Sequence, residues 1–376
     1  MAFNCFVNKN ELSNKLGELQ NITNKRGTLA ALNNVLLEVE DQGIVMTGTD
    51  LEVGLKLIVS GQVNETGTIT IPSKKLFEIV RESAGESIHL EEKENHWITI
   101  TAGKSTYNVA GIPSEEYPRF PDYDEDGFIS FESHIFLDLV DKVIFSIAGE
   151  HENIYSLTSV LFEKEKKENG SYLRMISSDG HRLSIMEKDV ATDVDGLNLS
   201  EVTLIPKKGV QELRKFCENR DTIELAFEDK QLVVRDGEAV MVIRLRQGQF
   251  PHYQSILDSI ATDNKLSIPR IPFLESLKRT DIFTEDVFHT IQLSIEAGSM
   301  VITSQHADIG SAKDELSIEY EGESMQLMFN CRYFIDALQV MESEVVKAYI
   351  DTQNSPCLLQ GDDDPGFTSV IMPMQL

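Results

Sequence analysis

Ser178-Asp179-Gly180-His181-Arg182-Leu183 gathers a hydroxyl, a carboxylate, an imidazole and a guanidinium into neighbouring positions of a 376-residue chain. By side-chain chemistry alone it reads as a catalytic cluster. The same slot recurs, however, in chemically different form, as Gly48-Thr49-Asp50-Leu51 and as Ile302-Thr303-Ser304-Gln305. A slot that recurs while its chemistry changes is architecture before it is a site. The catalytic reading also fails on its own terms. Alternate side chains of an extended segment share a face, so Asp179 could orient His181, but Ser178 then projects away from the imidazole. The chain carries no Gly-x-Ser-x-Gly elbow, Walker loop, Gly-x-Gly-x-x-Gly or His-Glu-x-x-His. What remains is a turn whose His181 and Arg182 present polar edges beside apolar Leu183, suited to gripping a peptide.

Outward from this stretch, one order of elements runs three times. Leu12, Leu16 and Leu19 give Asn10 to Gln20 a helical period, and strands are expected at 34–40, 43–48, 51–59 and 68–71. A second helix over 73–83 and a hairpin of 98–101 with 106–109 complete the first pass. The second opens on the helical spacing of Phe136, Leu139, Val140, Val143 and Ile144, and closes on a hairpin turning at Asp236-Gly237. The third opens near Pro272-Phe273-Leu274 and closes on 358–360, a turn over 361–366, and 367–371. Gly103, Gly237 and Gly361 each lie 32 positions beyond Ile71, Ile205 and Phe329, which open the second-helix regions. Successive copies are offset by 134 and 124 residues, so the repeating unit is a domain. The expected architecture is α+β, three tandem copies of one αβ domain over 1–127, 128–255 and 256–376. Connectors with a shared Phe-Pro-x-Tyr signature, Phe120 to Tyr123 and Phe250 to Tyr253, fall between copies.

Hydrophobic content of 41% with 26% charged residues is that of an ordinary folded protein. No apolar run reaches the roughly 18 residues of a membrane span, and no signal-peptide core follows Met1 to Lys9, so a cytoplasmic protein is expected. Cys5, Cys217, Cys331 and Cys357 lack metal-site spacing and read as reduced, mostly buried thiols. Asp122 to Gly127 begins like a calcium loop, but position twelve is Ser133, and Pro113, Pro118 and Pro121 exclude an entering helix. Gly361 to Gly366 is acidic too, and its place between two strands makes it a hairpin turn. Neither metal nor cofactor is expected.

A formal charge of −28 opposes nucleic-acid binding unless the basic residues are segregated. Partial segregation is visible. Lys74, Lys75 and Arg81 fall on the second helix of the first copy, and Lys207, Lys208, Arg214 and Lys215 on that of the second. The third has Arg332 there and Arg270, Lys278 and Arg279 on its first helix. Acid gathers instead at Glu91 to Glu94, Asp122 to Asp126 and Gly361 to Asp364, although Glu78, Glu82 and Glu212 share the basic helices.

Three αβ copies, the Asp179-Gly180-His181-Arg182-Leu183 core and the terminal Val370-Ile371-Met372-Pro373-Met374-Gln375-Leu376 together resemble the β-subunit family of bacterial DNA polymerase III, the sliding clamps. The resemblance covers the whole chain. It implies a head-to-tail homodimeric ring with helices on the inner face around duplex DNA and antiparallel sheets outside, and no enzymatic activity. The implied partners are the polymerase III catalytic subunit, the clamp loader, and other polymerases and repair proteins, held through a short peptide motif. Their implied pocket comprises Leu157, Ser178, Gly180, His181, Arg182, Leu183, Pro251, Ile256, Val370, Met372, Pro373, Met374 and Leu376. The implied DNA contacts are Arg26 and Tyr155, joined by Lys75 and Lys207 from the basic helices. Ser178 stands where a threonine is common, Gln375 where an arginine is common, and Ser156 replaces an aromatic.

Overall fold

The computed structural model describes residues 3–23, 29–149, 155–168, 170–285, 288–352 and 354–374. The chain forms two compact units, one of 1–134, 196–198 and 211–245, the other of 135–195, 199–210 and 246–376. Its helices of more than one turn, among the described residues, are α1 (Lys9–Thr23), α2 (Ser73–Glu82), α3 (Ser133–Asp141), α4 (Lys207–Glu218), α5 (Tyr253–Asp258), α6 (Arg270–Asp281) and α7 (Cys331–Val340). None is long and apolar enough to cross a membrane.

In the first unit, the leucine period of α1 does what its spacing requires, burying Leu12, Leu16, Leu19 and Ile22. Helix α2 lies beside it, with Thr23 Oγ1 donating to Ser73 Oγ at 2.8 Å and Gln20 Nε2 to the same oxygen at 3.0 Å. Beneath them Gly48 is needed for its missing side chain: a Cβ there would meet Leu19 at 2.7 Å and Thr23 at 2.9 Å, so glycine lets α1 settle onto the sheet. That sheet has twelve strands. The strand expected over 51–59 runs as Val53–Glu65 and joins two copies of the repeat. It pairs with Asn4–Asn8 through Val7↔Gly61 and with Ala239–Arg244 through Ile243↔Val53 and Ala239↔Leu57. The strands Asn4–Asn8 and Ser87–Glu92 were not expected from the sequence.

The second unit holds an eight-stranded and a four-stranded antiparallel sheet. The eight-stranded one also crosses between copies, because Arg182–Val190 pairs with Phe367–Ile371 through Arg182↔Ile371 to Met186↔Phe367. The four-stranded sheet runs Gly310–Ser317, Ser299–His306, Thr290–Glu296, Met325–Asn330.

Two expectations from the repeat need correction. Gly103 and Gly237 turn their hairpins at φ 58° and 90°, but in the third copy Gly366 does so at 84°. Gly361 ends its strand instead, where a Cβ would lie 2.2 Å from Ser343 Oγ. The slot Ile302 to Gln305 likewise lies inside the strand Ser299–His306, and the matching turn is at 307–309. An apolar alternation aligned the copies while a shift within the strand displaced the turn.

Asp364, in the acidic 361–366 turn, is buried. Its Oδ1 takes Lys142 Nζ at 2.6 Å and Glu342 N at 2.9 Å, and its Oδ2 takes Ser343 N at 3.0 Å and Ser343 Oγ at 2.7 Å. Burial pushes this carboxyl up, but the ammonium and the hydrogen-bond donors outweigh it and hold Asp364 below the usual carboxylate range. The calcium-like stretch is tied to its own sheet, Asp124 N donating to Glu228 Oε1 at 2.9 Å and Arg235 pairing with Glu125 at 2.8 Å. The four cysteines are free and buried.

Candidate functional site

At the turn that follows strand Gly170–Ser178, almost every polar group is spent on the turn itself. Asp179 Oδ1 accepts His181 N at 3.0 Å and Arg182 N at 3.1 Å, and its Oδ2 accepts Arg182 Nε at 2.9 Å. Ser178 Oγ donates to the Arg182 carbonyl at 2.7 Å and accepts Gly180 N at 3.1 Å. Gly180 sits at φ 88°, in the left-handed region that glycine occupies without strain. Asp179 therefore shapes the backbone rather than orienting an imidazole, and Ser178 is bound down rather than poised to attack. The exposed His181 ring lies parallel to Tyr333, centroids 6.4 Å apart.

Arg182 also departs from expectation. The sequence has it present a polar edge beside Leu183, yet its side chain is only 10% exposed. Beyond Asp179, its Nη1 donates to Asp336 Oδ2 at 2.6 Å and its Nη2 to the Phe145 carbonyl at 2.6 Å. The guanidinium is stacked over Tyr333 at 4.6 Å and Phe145 at 5.3 Å. Its planar fork suits this many-sided grip. Arg182 fastens the turn to α7, and of the two expected polar edges His181 remains.

Beside this turn is an apolar cluster. Leu157, Leu183 and Val370 belong to it, with Leu161, Ile176, Phe250, Tyr253 and Leu358, and Ile256 packs against it from α5. Gly180 borders it, since a Cβ there would lie 3.9 Å from Leu157 Cδ1. Pro251 is exposed at the approach to α5, and its carbonyl accepts Tyr253 N at 2.8 Å. Met372 extends the strand Phe367–Ile371 by donating its N–H to the His181 carbonyl at 2.9 Å, and is 38% exposed. Pro373 is half-buried. Met374 is drawn to the four-stranded sheet, its N–H reaching the Met328 carbonyl at 2.8 Å and its sulfur accepting from Thr290 Oγ1 at 3.5 Å. Leu376 lies outside the described residues.

Of the residues expected in the pocket, Leu157, Leu183, Val370 and Ile256 share this cluster and Gly180 borders it, whereas Met374 is held at the four-stranded sheet. Phe250 and Tyr253 were missed as members, although the repeated Phe-Pro-x-Tyr signature marked them. Tyr333 and Asp336 carried no signal, because only the fold brings α7 to the turn.

Of the expected DNA-contacting residues, Arg26 lies outside the described residues and of Tyr155 only the backbone is described. Lys75 is exposed and pairs with Glu78 at 2.8 Å, a hydrogen bond that holds the Glu78 carboxyl below its ordinary range. Lys207 is half-buried and donates to the Ile147 carbonyl at 3.2 Å.

Comparison with known proteins accounts for the whole chain. Residues 1–121 match the family model of the DNA polymerase III beta subunit N-terminal domain, 130–252 that of the central domain and 261–375 that of the C-terminal domain. The beta sliding clamp of Haemophilus influenzae is 28% identical over 373 residues, covering 98% of this chain and 99% of its own. That of Chlamydia muridarum is 27% identical over 370 residues, with 98% of each chain covered. Among solved structures, a DnaN sliding clamp from Bartonella birtlesii bound to griselimycin superposes with a TM-score of 0.93 at 25% identity. One from Pseudomonas aeruginosa, also bound to griselimycin, gives 0.90 at 26%. Both cover 100% of either chain. With all three domains matched in order and the fold shared end to end, the chain belongs to the DNA polymerase III beta subunit family, the beta sliding clamps.

Proposed function

We propose that two copies of this chain close head to tail into a ring around duplex DNA, and that the ring tethers the polymerase III catalytic subunit and other partners to the template. The observation that carries this reading is the ordered match of all three domains to the beta subunit family. Of the strands that end the sheets, one in the first copy and one in the third suit a head-to-tail contact. Ser105–Ala110 ends the twelve-stranded sheet and Gly310–Ser317 the four-stranded one, each paired on one side only among the described residues. Unpaired edges invite a strand from another chain. Exposed Ile271, Ile282, Phe288 and Ile309 add apolar surface within the stretch that holds the second edge.

In such a ring the helices face the DNA. The charge of −28 then ceases to be an objection, because topology retains the DNA and sequence-blind phosphate contacts need only be weak. Arg26, Tyr155, Lys75 and Lys207 supply those contacts in this reading, Lys207 more through its charge than its reach. The apolar cluster with His181, Pro251, Met372 and the following residues takes the partner peptide, and flexible thioethers suit a site that accepts several partners. Domain limits of 1–127, 128–255 and 256–376, and a cytoplasmic location, complete the proposal.

The test is retention. The protein is loaded onto a nicked circular plasmid by its clamp loader, washed in high salt, and the plasmid is then linearised. Survival of the wash followed by release on linearisation is the expected result. Loss from the intact circle, with a loader that works on another clamp, would leave an acidic scaffold that uses the same pocket without encircling DNA.

A further inference from the structure

We infer that Tyr253 is a positioning residue for the partner-peptide pocket: its phenol clasps α5 to a charged ladder on the sheet and so sets where Ile256 stands. The inference rests on the pocket reading above. Helix α5 has only six residues, and no side chain caps its start. So short a helix does not hold itself in place. Ile256 and Leu257 pack its apolar side against the cluster, and its polar tie is Tyr253, whose ring is buried in the same apolar cluster that carries Leu183 and Val370. Its hydroxyl donates to Glu163 Oε2 at 2.7 Å and accepts from Arg174 Nη1 at 3.2 Å.

Those two partners are themselves fixed. Glu163, Arg174 and Glu187 stand directly opposite one another on three adjacent strands, through the pairs Glu163↔Arg174 and Arg174↔Glu187. Arg174 Nε reaches Glu187 Oε2 at 3.1 Å and its Nη2 reaches Glu165 Oε2 at 2.7 Å, while Lys167 Nζ holds Glu187 Oε1 at 2.8 Å. Burial, and then the hydrogen bond to Glu163, push the Tyr253 phenol up to about 12, so it stays a donor throughout the physiological range. The strand that carries Arg174 ends at Ser178, where the His181 turn begins. One tyrosine therefore registers both walls of the site, the α5 wall with Ile256 and the turn with Gly180 and His181. The interactions of a peptide with a preformed wall are not spent on ordering it.

The probe is the tightest binder among overlapping peptides tiled along the polymerase III catalytic subunit of the same organism. Tyr253→Phe keeps the ring and deletes the clasp, and the peptide is expected to bind about tenfold more weakly through faster dissociation, from the loss of the phenol's two hydrogen bonds to charged groups. Salt-resistant retention on nicked circles should be unchanged, which shows that the variant folds and assembles. Glu163→Ala should weaken the peptide similarly, whereas Glu163→Gln, which keeps an acceptor for the phenol, should stay within about twofold of the parent. Parent-like affinity in Tyr253→Phe, or equal losses in Glu163→Gln and Glu163→Ala, would overturn the clasp. Ile256→Asp and deletion of Met372 to Leu376 separate the two readings. If these abolish binding while Tyr253→Phe does nothing, only the clasp is wrong; if they too leave affinity unchanged, the pocket has been misplaced.

Discussion

One aspartate chemistry recurs at three places where a strand turns back. Asp50, Asp179 and Asp236 each accept the N–H groups of the residues two and three ahead, at 2.8 to 3.1 Å. The residue after each is left-handed: Leu51 at φ 75°, Gly180 at 88° and Gly237 at 90°. These are Asx turns, and they explain why a stretch that looked reactive is structural. Buried Asp364 does comparable work for the 361–366 turn, and there the consequence can be measured. Its depressed carboxyl contributes stability that is fully present above the ordinary value near 3.8 and is lost as pH falls through the lower folded value. Asp364→Asn leaves the Lys142 ammonium its Val340 carbonyl but no counter-charge, and should cost about 3 kcal/mol at neutral pH. Denaturant titrations between about pH 5 and 2 should then show a shallower loss of stability in the variant than in the parent. The position of 178–183 was legible in the sequence. That its carboxylate, hydroxyl and guanidinium would be consumed was not, because hydrogen-bond partners such as the Phe145 carbonyl and Asp336 are set by tertiary approach.

Among the elements, the helices other than α5 and the hairpins could be read from periodicity, and the spacing of 32 between second-helix region and turning glycine held for the first two copies but not for the third, where Gly361 ends a strand. The pairings that weld one copy to the next could not. Alternation marks a strand as half-buried without naming its neighbour, so Val53–Glu65 was visible as a strand but not as the one that meets Ala239–Arg244. Asn4–Asn8 escaped because five residues carry too little pattern. At the second weld, Ser184 faces Ser369 across the strand pair, both are fully buried, and neither hydroxyl finds a partner among the described residues. An unsatisfied buried hydroxyl costs about 1 kcal/mol or more. Ser369→Ala should therefore raise the thermal midpoint by scanning calorimetry; a lower midpoint would show that the hydroxyl is satisfied in solution.

For the whole molecule, three sequence copies fold as two compact units. A fragment ending at residue 127 would leave the Val53 to Leu57 edge without Ala239–Arg244. Bare edges of this kind associate, so light scattering on the fragment should report oligomers that the full chain does not form at the same concentration. A monodisperse, monomeric fragment would show that the weld is dispensable. The middle copy is the keystone: taking it out alone would bare both the Val53 to Leu57 edge that Ala239–Arg244 covers and the Phe367–Ile371 edge that Arg182–Val190 covers.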